Sequence, residues 1–350
     1  MHSIELTDRE KSILRHVVQQ FILTASPVGS RNISKRYNIG LSPASIRNIM
    51  ADLEETGYLN HPHTSAGRIP TDMGYRFYVD SLMDPPTLNE EAIKKIDSTL
   101  EAGHTETNEL IELTSILLSE LTNQLACITF PKFDNAVLEK IQLVQLSINR
   151  ILVVLTVKSG LVRTITLEIT KEATLINLQS IQQILNERLS GLKFTEIRKT
   201  FSERLKDYNR DELKPIVRLF IDSVDKIFAS MPEKNKAVIS GATNVLKQPE
   251  FEIHQNFQGI IELIENKNVV IHLMEKGFKA EHVPINIKIG SENMDEQFSD
   301  FSLITKEYKF GEVSGTVGII GPKRMEYSKV VAAVMYVAES LSNELKKVNY

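Results

Sequence analysis

Apolar positions recur at intervals of three and four through the first eighty residues, shift to intervals of two after residue 127, and then alternate between the two periods. The first run is Ile13, Leu14, Val17, Val18, Phe21 and Ile22. Ahead of it stands Thr7-Asp8-Arg9-Glu10, a capping box with Thr7 at the cap, so a helix is predicted over Asp8–Leu23. Ser26-Pro27-Val28-Gly29 reads as a turn. Ser30 then caps a short helix to Tyr37, with Ile33 and Tyr37 inward and Arg31, Lys35 and Arg36 outward. A third helix follows the turn Asn38-Ile39-Gly40. Ser42 caps it, Pro43 suits its first position, and Gly57 supplies its left-handed end.

Within this third helix Ile46, Ile49, Met50 and Leu53 form one stripe. Ala44, Arg47, Asn48 and Ala51 lie opposite, with Ser45 on the flank. That opposite face is small and polar. Arg and Asn are the side chains best shaped to read base edges through paired hydrogen bonds. Next come Tyr58–His61, a polar turn containing His63, Thr64, Ser65, Ala66 and Gly67, and Arg68-Ile69-Pro70-Thr71, which together predict a hairpin with Arg68 at its tip. Three helices and a hairpin in this order describe a winged helix-turn-helix. Asp72–Met83 is a further helix, with Arg76 on it.

Asp84-Pro85-Pro86-Thr87 is the clearest boundary, since tandem prolines stop helices and stiffen a connection. Helices are predicted over Glu90–Glu101 and, capped by Thr105, along Leu110, Leu113, Leu117, Leu121 and Leu125. That stripe is read as core rather than as a coiled dimer seam. Period two then predicts strands over Cys127–Phe130, Lys140–Ser147, Ile151–Val157 and Val162–Ile169. Helical stripes return between Leu175 and Phe228. Strands resume at Val269–Met274, Val283–Ile289, Leu303–Phe310 and Gly315–Ile320, and a last helix covers Tyr327–Lys347. The pattern predicts an α+β chain: a domain over 1–84, a sheet domain assembled from 88–170 and 251–350, and a helical insert over 171–250.

At 350 residues two or three domains are expected. The 42% apolar and 25% charged fractions are those of a water-soluble globular chain. No apolar run approaches the ~18–20 residues of a membrane span, and the N-terminus lacks the basic start and apolar core of a secretory signal. Cys127 is the single cysteine, which fits a reducing cytoplasm. The net charge of −4 argues against a generic nucleic-acid coat, but between Arg31 and Arg76 six cations face four acids. Local charge matters more than the total for sequence-specific binding.

Enzyme chemistry finds little support. His61 and His63 flank a proline without a third ligand nearby, a weak metal signal. Cys127 opens a strand and reads as a small core residue. No G-x-S-x-G, phosphate-loop or dinucleotide fingerprint occurs, and Gly318–Lys323 lacks phosphate-loop spacing. Asp295, Glu296 and Asp300 form an acidic loop without a partner base. No catalytic residue, metal or cofactor is expected.

The run Asn60-His61-Pro62-His63-Thr64-Ser65-Ala66-Gly67-Arg68-Ile69-Pro70-Thr71-Asp72, continuing Gly74–Asp80, resembles the wing of the HrcA family of bacterial heat-inducible transcription repressors. The resemblance extends over essentially the whole chain. It is carried further by Gly241-Ala242-Thr243-Asn244, Ile289-Gly290-Ser291-Glu292 and Gly315–Tyr327. It implies a winged helix, a GAF-like α/β domain and a helical dimerisation domain inserted into the latter. It also implies a homodimer on double-stranded DNA at the inverted repeat called CIRCE, with the chaperonin GroEL assisting folding and heat titrating that helper away. Expected DNA contacts are Ser42, Ser45, Arg47 and Asn48 on the reading helix, Thr64, Ser65 and Arg68 on the wing, and Arg31, Lys35, Arg36 and Arg76 on the phosphates. The alternative is a winged-helix repressor that senses a metabolite held in the GAF-like domain.

Overall fold

The computed structural model describes residues 6–62, 67–101, 107–169, 178–208, 214–228, 237–252, 261, 264–276, 284–293 and 298–348. Thr64, Ser65 and the expected Thr105 cap lie outside these residues. The chain is a mixed α/β protein.

The capping box closes α1, Asp8–Thr24. The Thr7 hydroxyl accepts the Glu10 amide, and the Glu10 carboxylate accepts the Thr7 amide at 2.7 Å. α2 covers Ser30–Arg36, one position earlier than expected, with Gly29 at its cap and no side-chain bond there. α3 covers Pro43–Glu55 behind Ser42. Ile13, Leu14, Val17 and Val18 of α1, Ile33 of α2, and Ile46, Met50 and Leu53 of α3 are buried in one core. Two short strands follow, β1 (Leu59–Asn60) and β2 (Ile69–Pro70), paired antiparallel. α4, Asp72–Phe77, runs on into a wide turn over Tyr78–Leu82.

Helices α5 (Glu90–Leu100) and α6 (Thr107–Thr122) lead to β3 (Leu125–Thr129). A three-stranded antiparallel sheet comes next: β4 (Leu138–Ser147), β5 (Arg150–Val157) and β6 (Val162–Glu168). Helices α7 (Leu178–Leu189), α8 (Phe194–Leu205), α9 (Lys214–Asp222) and α10 (Val224–Phe228) follow. Then come β7 (Ala237–Ser240), α11 (Ala242–Leu246) and α12 (Lys267–Lys276). β8 (Asn286–Ile289), β9 (Phe301–Phe310), β10 (Val313–Pro322) and α13 (Tyr327–Val348) complete the chain.

The larger sheet is antiparallel with strand order β7-β3-β10-β9-β8. It is covered on both faces. Ala126, Ile128, Val317, Ile319 and Ile304 join the core beneath α6 and α13; Leu125, Cys127, Ile320 and Leu303 join a second core with Val270 and Met274 of α12. Alternate residues of β3 thus enter opposite cores, and the whole strand is buried, Cys127 included.

Strand pairing divides the chain differently from the expected 171–250 insert. β7 pairs with β3, Ala126 against Ser240 through Thr129 against Ala237, so it belongs to the larger sheet. β4–β6 belong with the helices that follow them. On the outer edge of β4, Asn186 of α7 accepts the Ile141 amide and donates to the Ile141 carbonyl, each at 2.8 Å. Gln182 accepts the Leu143 amide at 2.8 Å. Side-chain amides thereby satisfy an edge that would otherwise expose unpaired backbone. The excursion from the larger sheet therefore starts after β3 and ends at β7. Val269–Met274, expected as a strand, is helical. A short apolar run fits either period, and here it covers the sheet instead of extending it.

Candidate nucleic-acid interface

Helix α3 owes its position to its ends and its stripe. The Ser42 hydroxyl accepts the Ser45 amide at 3.1 Å and lies 3.0 Å from the Ser45 hydroxyl. Ile46, Met50 and Leu53 are buried, with Ile49 packed beside them. The outward face is then fixed by geometry: Ser42, Ala44, Ser45, Arg47 and Asn48 are all exposed. α2 packs against α3 and turns Arg31, Asn32, Lys35 and Arg36 to solvent. Lys35 and Arg36 stand in its last turn, where cations suit the helix dipole. Among the described residues, Arg31, Lys35, Arg36 and Arg47 have no ion-pair partner. The two adjoining helices thus present cations and two amide side chains, Asn32 and Asn48, to solvent, an arrangement able to meet phosphates and base edges.

The hairpin is anchored at its base. Val28 and Arg68 exchange backbone hydrogen bonds of 2.8 and 2.9 Å, which brings the hairpin against the turn before α2. A β-carbon on Gly67 would stand 2.5 Å from the Val28 backbone, so the close approach requires glycine. Arg68 departs from the expected tip position. Its Nε lies 2.6 Å from the Glu54 carboxylate of α3, which also pairs with His61 Nδ1. Glu54 was not singled out by the sequence pattern, because nothing in local spacing joins residue 54 to residue 68, and His61 was weighed there only as half of a weak metal pair.

Arg76 departs further. Its guanidinium donates to Glu292 at 2.8 Å, to the Ile287 carbonyl at 2.7 Å and to Asp80 at 3.2 Å. It faces the larger sheet, because a half-buried guanidinium needs acceptors and the β8 region supplies them. The charges expected to act together are therefore split. Arg31, Lys35, Arg36 and Arg47 share two adjoining helices, while Arg68 and Arg76 are engaged within the protein.

A cavity of about 320 Å³ lies where α1 and the Tyr78 turn approach the start of α13, lined by residues that include Gln19, Leu23, Tyr37, Tyr78, Glu326 and Lys329. Among the described residues no group of three His, Cys, Asp or Glu side chains could hold a metal ion. No helix of the described residues is long and apolar enough to cross a membrane.

Residues 108–331 match the family model described as HrcA protein C terminal domain, well over half of the chain. The chain belongs to the HrcA family. It is 39% identical over 349 residues to the heat-inducible transcription repressor HrcA of Chlorobium phaeobacteroides (strain BS1), covering 97% of this chain and 99% of that protein. It is also 39% identical over 361 residues to the HrcA of Chlorobium limicola (strain DSM 245 / NBRC 103803 / 6330), covering 99% of this chain and 100% of that one. Its function within the HrcA family is heat-inducible repression of transcription. A crystal structure described as a hypothetical protein aligns with a TM-score of 0.60 at 24% identity over 98% of this chain and 100% of the other, a likeness of fold.

Proposed function

We propose that this HrcA-family chain represses heat-shock operons in the cytoplasm by binding DNA as a homodimer at the CIRCE inverted repeat. In this reading residues 6–84 are a winged helix-turn-helix and the larger sheet with its helices is a GAF-like domain. The unit formed by β4–β6 and α7–α10 makes the dimer contact. Helix α3 enters the major groove, with Arg47 and Asn48 reading base edges and Ser42 and Ser45 at its N-terminal end beside the phosphates. Arg31, Lys35 and Arg36 hold the flanking backbone. The hairpin tip with Thr64 and Ser65 reaches the neighbouring groove.

The observation that carries the proposal is the exposed face of α3. Arg47 and Asn48 stand there on a helix whose other side is buried, next to a second helix bearing three exposed cations. A single domain of this size covers little DNA surface, so pairing onto two half-sites supplies tight binding. GroEL assists folding of the active repressor, and heat releases repression when unfolded clients occupy the chaperonin. Titration of purified protein onto a CIRCE duplex and a scrambled duplex tests the DNA reading. Repeating the titration after heating and cooling, with and without GroEL, tests the signal. Full recovery of binding without the chaperonin counts against it.

A further inference from the structure

Two sequence runs that the DNA face leaves unused, Ile289-Gly290-Ser291-Glu292 and Lys323-Arg324-Met325-Glu326-Tyr327, meet at one place. They receive α4 and the end of α1. Asp72, in the first turn of α4, accepts the Ser291 amide and the Lys323 ammonium, each at 2.9 Å. One turn later Arg76 is held by Glu292 and the Ile287 carbonyl. From the other side Arg324 donates to the Ile22 carbonyl at 2.6 Å while pairing with Glu250. Tyr75 and Tyr327, both buried, lie 6.0 Å apart between these contacts.

The physical logic is consistent at each contact. The Asp72 carboxylate sits at a helix N-terminus, and the Arg324 guanidinium meets a carbonyl in the last turn of α1, each the favoured sign for its helix end. Gly290 adopts φ +56, and a β-carbon there would collide with the Asp72 carboxylate. The glycine therefore serves both its own backbone and the seat for Asp72. The connection between the two units is also tethered: Arg15 pairs with Asp84, and Ser328 donates to the Pro85 carbonyl at 3.2 Å. Charge-assisted hydrogen bonds are directional, so several of them fix a bearing that apolar contact alone would leave free to slide.

We infer that Asp72, Arg76, Gly290, Ser291, Glu292, Lys323 and Arg324 form a docking joint that fixes the bearing of α3 on the body of the protein. Recognition of two half-sites at once depends on that bearing. This inference rests on the DNA-binding reading above. Half-sites on one face of a duplex must be met at a fixed spacing, on the order of 34 Å or a multiple of it. A reading unit free to pivot about residues 84–87 meets one half-site unhindered but holds the second only part of the time. Glu292 and Lys323 are thus positioning residues, acting through Arg76 and Asp72.

The test uses the full chain with Glu292→Ala, Lys323→Ala and the conservative Glu292→Gln, none of which alters α2 or α3. Binding is measured to duplexes carrying the whole CIRCE repeat, a single half-site, and the repeat with altered spacing. Spin labels at Arg9→Cys on α1, which shares its core with α2 and α3, and at Glu339→Cys, both exposed positions, diluted with unlabelled protein, report the bearing. The joint predicts a narrow label distance in the otherwise unaltered chain and a broad one in the alanine variants. Their binding to the whole repeat should weaken roughly tenfold, with single half-site binding within about twofold of the parent. Discrimination between spacings should fall, with Glu292→Gln intermediate. Equal weakening on both duplexes, no change, or tighter binding by the variants overturns the joint. A parent protein that binds neither duplex better than scrambled DNA overturns the DNA-binding reading, and this inference with it.

Discussion

Glu54 and Arg68 pair at 2.6 Å, and His61 shares the same carboxylate, so one acid at the end of α3 ties that helix to both arms of the hairpin. The pairing also explains how an acid is tolerated next to a proposed DNA face: two basic side chains from the protein itself surround it.

Glu54→Gln keeps the shape and removes the charge. The expected cost is on the order of 1 kcal/mol of folding stability, because a partly buried ion pair is broken on one side. With the acid gone and Arg68 released, binding to random duplex should strengthen and discrimination between operator and random DNA should fall. Thermal melting and paired titrations check both effects. Unchanged discrimination would show that the hairpin does not depend on this pair.

Arg47→Ala should weaken operator binding by about 1–3 kcal/mol and relax sequence choice at one or two base pairs. Titrations against a set of single-base operator variants give the answer. Equal losses on operator and random DNA would remove Arg47 from base reading.

Lys35→Ala addresses the exposed cations of α2. Its loss should weaken all duplexes by similar factors and lower the slope of log affinity against log salt by about one. A sequence-dependent loss would place Lys35 among the base contacts instead.

Much of this was legible because α1 to α3 are amphipathic and well capped. Ile46, Met50 and Leu53 fall on one side at helical spacing, and the buried face that spacing predicts is the buried face found. The exposed face follows by exclusion. Arg76 was not legible. Its partner Glu292 lies 216 positions away, and an arginine bound for an internal acceptor has the same local spacing as one bound for phosphate. Ala237–Ser240 was hidden for a similar reason. Four residues carry too little period to be called a strand, and only the ladder with β3 identifies them as one. The stripe expected along α6 fell short too. Leu113 and Leu121 are half-buried, while Ile111, Thr114 and Leu118 are buried, because that helix is covered from two directions by β3 and α13.

Asp72 makes the joint sensitive to acid. Burial raises its carboxyl, but the Lys323 ammonium and the Ser291 backbone amide more than offset this and hold it below the ordinary aspartate range. A group depressed on folding contributes stability that is present above its unfolded value and is lost as pH falls through the folded one. The contribution should therefore be intact at neutral pH and disappear only in strong acid. Asp72→Asn should be less stable than the parent at neutral pH, with the gap closing as pH falls through that window. Denaturant melts at stepped pH measure this. A gap that does not depend on pH would contradict the assignment.

The central claim, that α3 reads an inverted repeat, is tested most directly by fluorescence anisotropy of a labelled CIRCE duplex titrated with the purified chain at ~150 mM salt, where non-specific binding is weak. A scrambled duplex and added GroEL serve as controls. The account predicts saturable binding of one dimer to the repeat, abolished by scrambling. Equal affinity for both duplexes, or none for either with GroEL present, would contradict it.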